Sequence, residues 1–405
     1  MNKSAIAILI ALTCTAVYAN AQATESVNNN VATTSSAIAQ LNDDLPYFNA
    51  KREAVQQVAH QFDFTGQSYA EAGKALGEFD NERNLELHKV APEQRELALE
   101  IAAAAIENGK SLVPEYIEML QGIADVRNTP LVDIVAAGLM VDVNIDTAMT
   151  GTALEDYVST DKGCTTIAFN NGLVGQTLDF PIEHIKGHST IVKMDDVIGV
   201  YTDGGFYQQM GKHVGVTVNF LGQSSIKKAT KLDDVVALDV LMHAVAKAES
   251  VDAAITIVEK YNTIVAMNFT IADDQGGYAA VITLGEETIV QRGSDKGVAH
   301  TNHSEALAGE LVEGVSDAEY TAINQKLVWS FARKDFADNF LRYTPEMTVE
   351  SMQYLFEQKP VNMSKHDGKT FVTTNAYVFD TVNGCAYYAP ENPLFLEGDY
   401  TKVCF

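Results

Sequence analysis

Two short runs of residues, joined by a turn signal, constrain the fold of this chain more than any other feature. Residues 161–166 read Asp-Lys-Gly-Cys-Thr-Thr and lead into an apolar segment, and residues 175–180 read Gly-Gln-Thr-Leu-Asp-Phe. Between them, Asn-Asn-Gly at 170–172 is a strong signal for a tight hairpin turn. The sequence therefore predicts a β-hairpin that brings Cys164 alongside the acid Asp179.

Cys164, at the start of the first predicted strand, is a candidate nucleophile. A cysteine attacks as its thiolate, so it needs a base or a lowered pKa, and no papain-type or caspase-type signature surrounds this one. If the bond between Gly163 and Cys164 were cut, the new α-amino group, with a pKa of about 8, would be the base. The thiol can make this cut itself by attacking the Gly163 carbonyl, because a residue without Cβ leaves room for the approach. The simpler alternative is a buried structural cysteine.

Three motifs resemble the acyl-coenzyme A:6-aminopenicillanic acid acyltransferase family of N-terminal-nucleophile (Ntn) hydrolases, whose relatives include penicillin V acylases and bile salt hydrolases. They are Gly-Cys-Thr-Thr at 163–166, the run at 175–180, and Ala-His-Thr-Asn-His at 299–303. They stand in the family's order and approximate spacing, within a resemblance over about residues 110–395. The resemblance implies an α+β fold, the Ntn four-layer αββα sandwich with a helical N-terminal segment, and an activity that needs no metal and no organic cofactor.

The resemblance also implies a role for each motif. Cys164 would be the nucleophile, Asp179 would orient its new α-amino group, and the side-chain amide of Asn302 would donate a hydrogen bond to the oxyanion. Each polar residue has a plainer interpretation. An acid in an apolar strand can face water at a sheet edge, and an asparagine after a strand is a common turn residue.

Two positions depart from the family pattern. The family usually has an asparagine before the strand at Val214, as a second oxyanion contact, but residues 209–213 read Gln-Met-Gly-Lys-His. The family often has an active-site arginine near the C-terminus, where this chain has Lys365, a possible substrate-binding residue. A lysine cannot make the planar, two-pronged contact of an arginine. The alternative for Lys365 is a solvated loop residue.

Histidines occur in pairs that lack the spacing and the accompanying ligands of a zinc site. The pairs are His184 with His188 and His300 with His303. They are interpreted as polar turn and loop residues, so no metal site is predicted.

The N-terminus indicates an exported protein, and the net charge restricts its partners. Residues 1–21 have a basic start, a short apolar core and small residues at possible cleavage points, as a signal peptide does, and 22–45 form a flexible lead-in. The net charge of −26 argues against nucleic acid or an anionic membrane as partner, and no other stretch could span a membrane. A periplasmic or secreted location favours disulfides, so Cys385 and Cys404 could pair. The alternative is that all cysteines of the mature chain are reduced and buried.

The rest of the chain divides at the proposed cleavage point. Residues 46–163 have helical patterns, with Pro92 and Pro114 as helix starts, and would form the pro-segment or small chain. Residues 164–405 show strands, then helices, then strands, which suggests sheets covered by helices, and would form the catalytic core. Whether the two chains stay together after cleavage is left open.

Together these features predict an exported, self-processing amidohydrolase or acyltransferase. Its substrates would be small linear N-acyl amides, such as acyl-homoserine lactones, N-acyl amino acids or penicillins, cleaved through a thioester on an N-terminal cysteine. Alternatives are a choloylglycine hydrolase or penicillin V acylase type of enzyme, a peptidase in the strict sense, and a non-catalytic envelope binding protein on the same scaffold.

Overall fold

The computed structural model describes ten stretches of the chain, beginning at Gln61. They are residues 61–79, 92–139, 163–181, 189–202, 205–221, 233–284, 287–303, 328–363, 371–396 and 399–405. All of them lie in one compact unit, Glu53–Phe405. The predicted signal peptide (1–21), the lead-in (22–45) and the residues Lys365, His184 and His188 lie outside the described residues.

Strands and helices both contribute to the described chain, which is α+β as predicted. The strands are β1 (Gln61–Asp63), β2 (Thr165–Phe169), β3 (Leu173–Pro181), β4 (Thr190–Lys193), β5 (Ile198–Thr202), β6 (Gly205–Met210), β7 (Val214–Phe220), β8 (Met267–Asp273), β9 (Tyr278–Leu284), β10 (Glu287–Gln291), β11 (Gly297–His300), β12 (Phe371–Asp380), β13 (Cys385–Ala389) and β14 (Thr401–Cys404). The helices are α1 (Tyr69–Phe79), α2 (Pro92–Leu112), α3 (Pro114–Val126), α4 (Leu238–Ala246), α5 (Val251–Lys260), α6 (Val328–Tyr343) and α7 (Val349–Glu357), and residues 131–139 are also helical. Pro92 and Pro114 begin α2 and α3, where the missing proline N–H leaves no hydrogen bond unmade.

The strands form two sheets. The first has the order β1-β4-β5-β6-β7-β8-β9-β10, and the second has the order β11-β2-β3-β12-β13-β14. Within the first sheet β1 pairs with β4 in parallel, whereas β7 pairs with both β6 and β8 in antiparallel fashion. The second sheet is antiparallel throughout the described residues, so short turns can connect its neighbouring strands.

Helices cover the outer face of each sheet. The first sheet packs against α4 and α5, and the second packs against α6 and α7. Side chains alternate between the faces of a strand, so Val216 and Val218 of β7 join the core beneath the helices, while Asn219 reaches the second sheet at Thr166. An apolar layer that includes Val174 and Phe379 fills the space between the sheets. This helix–sheet–sheet–helix arrangement is the predicted four-layer αββα sandwich.

The predicted hairpin is present as β2 and β3. The turn lies at 170–172, where Gly172 has a φ of +85°, a conformation that glycine adopts without strain. β11 pairs with β2 so that His300 lies opposite Thr166, and β12 pairs with β3 so that Thr373 lies opposite Asp179. These registers bring the residues after β11 and the end of β3 to the start of β2, where Cys164 lies.

The C-terminal strands carry a disulfide. Cys385 and Cys404 are cross-strand partners in β13 and β14 and are joined by an S–S bond, while Cys164 is free and buried. The tail is therefore fixed to the edge of the second sheet.

The helical segment before Cys164 contributes to the core. β1 adds a strand to the first sheet. The hydroxyl of Tyr116 in α3 donates to Asp239 in α4 at 3.0 Å, and Lys247 forms ion pairs with Glu115 and, at 2.8 Å, with Asp196. The segment is thus bound through main-chain pairing, a partly buried hydrogen bond and the ion pair of Glu115 with Lys247. No helix among the described residues is long and apolar enough to cross a membrane.

Candidate active site

The junction of Gly163 and Cys164 is enclosed by Asn302. Cys164 directly precedes β2, and only 5 % of its surface is exposed. Gly163 has a φ of +118°, which side chains of L-residues rarely adopt. A Cβ at Gly163 would lie 2.7 Å from Nδ2 of Asn302 and closer still to its Cγ and Oδ1. The Asn302 amide therefore lies directly against the main chain at the predicted cleavage point, and only glycine fits there.

The side chain of Asn302 is held in one orientation. Its Nδ2 donates to the carbonyl of Phe220 at 2.8 Å, and its Oδ1 accepts from Nη2 of Arg333 at 2.8 Å. These two partners settle which end of the amide is nitrogen. An amide nitrogen carries two hydrogens, so one N–H of Asn302 has no acceptor among the described residues and could donate to a group beside it. Asn302 is buried, unlike an ordinary turn residue.

Arg333 of α6 was not identified from the sequence. It is buried, and its Nη1 donates to the carbonyl of Cys164 and to Oγ1 of Thr165. It shares the buried face of α6 with Ala337 and Leu341, at helical spacing. A charged residue on the apolar face of a helix was the signal in the sequence. The structure therefore places an arginine against Cys164, the predicted nucleophile, whereas Lys365 lies outside the described residues.

Asp179 lies near the end of β3 and is fully buried. Its Oδ1 accepts from Oγ1 of Thr373 at 2.7 Å, and its Oδ2 has no hydrogen-bond partner among the described residues. Burial raises the pKa of Asp179 to about 7, although the nearby Arg333 and the Thr373 hydrogen bond lower it. Asp179 therefore does not face water at a sheet edge. Its Oδ2 is suited to accepting a hydrogen bond from a positively charged group such as an amino group.

The thiol of Cys164 is protonated in the uncut chain. Burial, followed by the charge of Asp179, raises the pKa of Cys164 to about 12, against the opposing effects of a main-chain hydrogen bond from Asp179, the charge of Arg333 and a hydrogen bond from Gln176. At neutral pH such a thiol needs a base in order to attack. The described side chains thus hold the cysteine in place without ionising it.

Asn219, near the end of β7, is a second buried asparagine of the site that the sequence analysis missed. It accepts from Nδ2 of Asn268 at 2.7 Å and from Oγ1 of Thr166 at 3.3 Å, and its own Nδ2 donates to the carbonyl of Thr301. It lies within β7, beyond the run at 209–213 that has no asparagine. The sequence of β7 alternates valines with other residues, and this pattern indicates that the side chain of Asn219 faces away from the helices.

The histidines of the third motif were interpreted as polar turn and loop residues. That interpretation was wrong for His300, which ends β11, whereas His303 does lie outside the helices and strands. His300 and His303 are both buried. Burial lowers the pKa of His300 to about 3 and that of His303 well below its usual value, so both are neutral. Among the described residues, no group of three or more His, Cys, Asp or Glu side chains could hold a metal ion.

The chain was compared with known families and structures. A family model described as acyl-coenzyme A:6-aminopenicillanic acid acyl-transferase matches residues 170–393, more than half of the chain, which include Asp179, Asn302 and Arg333. No curated protein matches the chain. Similar solved structures include a mutant of the conjugated bile acid hydrolase from Clostridium perfringens, with 13% identity over 60% of this chain and 92% of that one at a TM-score of 0.40. They also include penicillin V acylase from Agrobacterium tumefaciens, with 12% identity over 60% of this chain and 86% of that one at a TM-score of 0.37. The chain belongs to the acyl-coenzyme A:6-aminopenicillanic acid acyl-transferase family, which the motifs in its sequence predicted.

Proposed function

We propose that this chain is an exported, self-processing amidohydrolase whose nucleophile is Cys164. The observation that carries the proposal is the packing of the Asn302 amide against Gly163, in a conformation that only glycine tolerates. This arrangement puts a hydrogen-bond donor at the bond to be cut, next to a thiol.

Self-cleavage would follow from this geometry. The thiol of Cys164 attacks the Gly163 carbonyl carbon, and the thiol proton passes to the nitrogen of Cys164 as the C–N bond breaks. A thioester and a free α-amino group result, and water then hydrolyses the thioester to the Gly163 carboxylate and the thiol. The remaining N–H of Asn302 stabilises the oxyanion of each tetrahedral intermediate. Arg333 donates a hydrogen bond to the Cys164 carbonyl and so holds Cys164 in position for the attack.

Turnover would use the new α-amino group of Cys164 as the base. It takes the thiol proton as the sulfur attacks an N-acyl amide, and it gives that proton to the departing amine. The unsatisfied Oδ2 of Asp179 accepts a hydrogen bond from this amino group and fixes its position. Water then releases the acyl group. We favour water over an amine acceptor because coenzyme A thioesters are scarce outside the cytoplasm.

The two chains are expected to stay together after cleavage. The small chain would keep β1 in the first sheet and the hydrogen bond of Tyr116 to Asp239. Both contacts lie away from the cleavage point. Export is supported by the composition of residues 1–21 and by the Cys385–Cys404 disulfide, a bond typical of exported proteins.

The proposed activity is tested by trapping the acyl-enzyme. Purified protein is mixed with N-acyl homoserine lactones, N-acyl amino acids or penicillins, quenched within seconds and analysed by mass spectrometry. We expect the acyl mass on the fragment that begins at Cys164 and no adduct on a Cys164→Ala variant. Turnover of the same amides by Cys164→Ala would contradict the proposal. Absence of turnover and of any adduct across the panel would favour the binding-protein alternative.

A further inference from the structure

The first turns of α6 contact Asn302 from two directions. Oγ of Ser330 accepts from the main-chain N–H of Asn302 at 2.9 Å, and Nη2 of Arg333 donates to its Oδ1 at 2.8 Å. Residues three apart lie on the same face of a helix. One rigid helix therefore fixes both the backbone and the side chain of the proposed oxyanion donor.

Ser330 is itself fixed by its neighbours. It is 2 % exposed. Its Oγ lies 2.8 Å from Nδ1 of His303 and 3.0 Å from Oγ1 of Thr301. Oγ1 of Thr301 also lies 2.9 Å from the Ser330 carbonyl, and the ring of Phe331 lies 3.9 Å from the ring of His303. Residues 301–303 are thus clamped onto the start of α6.

Counting donors and acceptors assigns the hydrogens of this cluster. Neutral His303 has a single N–H. The Ser330 hydroxyl gives its one hydrogen to Oγ1 of Thr301, so in the contact between Ser330 and His303 the hydrogen must lie on Nδ1 and be donated to Ser330. The Thr301 hydroxyl donates to the Ser330 carbonyl. Ser330 accepts two hydrogen bonds and donates one, which is the full capacity of a hydroxyl.

We propose that Ser330 is a positioning residue that keeps the remaining N–H of Asn302 directed at the oxyanion, with His303 and Thr301 holding Ser330 in turn. The inference rests on the proposed function, in which Asn302 stabilises that oxyanion. Ser330 does not touch the reacting atoms and acts through Asn302 alone.

Replacing Ser330 by alanine leaves the buried main-chain N–H of Asn302 without its acceptor. It also removes the nearer of the two hydroxyl oxygens beside Nδ1 of His303 and leaves Oγ1 of Thr301, at 3.2 Å, as the remaining one. Buried polar groups that lose their partners shift toward new ones. A shift of about 1 Å at a catalytic group can cost on the order of 10²-fold in rate. An oxyanion exists only in the transition state and the intermediates, so the loss should appear in kcat and not in KM. We expect Ser330→Ala to lower kcat by about 10- to 100-fold.

The experiment compares wild-type protein, Ser330→Ala and the control Ser351→Ala. Ser351 is a partly exposed serine in the first turn of α7, and its hydroxyl also accepts and donates hydrogen bonds at a helix start. Its loss weakens a helix cap without touching the site. Each protein is assayed for kcat and KM with one N-acyl amide. Inhibition by the matching acyl aldehyde is also measured, because the thiol adds to the aldehyde and forms a tetrahedral oxyanion.

The inference predicts that Ser330→Ala lowers kcat and raises the aldehyde inhibition constant by similar factors, while KM and inhibition by the product acid stay within twofold. Ser351→Ala should change none of the four. Unchanged kcat in Ser330→Ala, or equal losses in aldehyde and product binding, would overturn the inference. If the alanine variant does not fold, Ser330→Cys, of similar size but with a weaker donor and acceptor, is judged by the same criteria. Failure of the proposed function looks different, since wild-type protein would then show neither turnover nor aldehyde inhibition.

Discussion

Substituting Gly163 by alanine should slow self-cleavage strongly, for two independent structural reasons. An alanine at a φ of +118° is strained by about 1–3 kcal/mol. In addition, its Cβ would lie 2.7 Å from Nδ2 of Asn302 and would overlap the rest of the amide. Since Cγ and Oδ1 would lie closer than Nδ2, restoring ordinary contacts of about 3.5 Å moves the amide by more than about 1 Å. A displacement of that size costs on the order of 10² in rate, so we expect Gly163→Ala to slow cleavage by at least about 100-fold.

The assay is a time course of cell-free synthesis, quenched at intervals and resolved by gel and mass spectrometry. Gly66→Ala is the matched control. Gly66 also has a positive φ, of +78°, but a Cβ there would meet nothing within 4 Å. The control therefore carries backbone strain without a clash at the site and should be cut at the wild-type rate. Cleavage of Gly163→Ala at the wild-type rate would refute the reasoning, because Asn302 would then not be bound closely to the cleavage point.

Three further outcomes follow from the contacts at the site and the tail. Arg333→Lys should slow self-cleavage by at least about tenfold in the same time course, since one ammonium group cannot replace the planar contacts to Asn302 and the Cys164 carbonyl; wild-type speed would contradict it. The second outcome concerns an uncut Cys164→Ala protein, in which the pKa of Asp179 is raised. Between about pH 4 and pH 7 the carboxyl group of Asp179 stays protonated in the native state but loses its proton in the unfolded state. Asp179 should therefore make thermal stability fall as pH rises across this range. Asp179→Asn should therefore raise the melting temperature at pH 8 and weaken its pH dependence between pH 5 and pH 8, and an unaltered pH profile would count against a buried acid. Replacing Cys385 and Cys404 by serine opens a loop with a sequence separation of 19 and should lower the free energy of unfolding by about 3 kcal/mol in denaturant titrations while leaving the cleavage rate unchanged.

The site residues that were predicted from the sequence, Cys164, Asp179 and Asn302, each lie in a short sequence motif. The turn signal at 170–172 and the apolar runs beside it are short-range features, and they placed Asp179 in the strand next to the one that follows Cys164. The motif at 299–303 follows a strand that pairs with β2, so Asn302 arrives at the same place. The turn signal was sufficient to place Asp179 beside Cys164, whereas Asn302 was predicted through the resemblance of its motif to the family.

The missed residues depend on packing between distant elements. Arg333 reaches Cys164 from a helix 169 positions along the chain, and only the docking of α6 on the second sheet reveals this. Asn219 belongs to the other sheet and meets the site across the interior. Burial of His303 depends on the same docking, through Ser330 and Phe331. Sequence patterns do not specify which faces of separate layers meet, although a charge on an apolar helix face was a usable sign.

Intact-mass spectrometry of the purified mature protein, beside a Cys164→Ala version, tests the central claim most directly. If Cys164 cuts its own chain, the wild-type protein gives two fragments that meet between Gly163 and Cys164, and the variant gives one uncut chain. Native mass spectrometry of the same sample should show the two fragments as one complex. A single uncut chain in both proteins would contradict the self-processing mechanism, and two fragments in both would assign the cut to another protease.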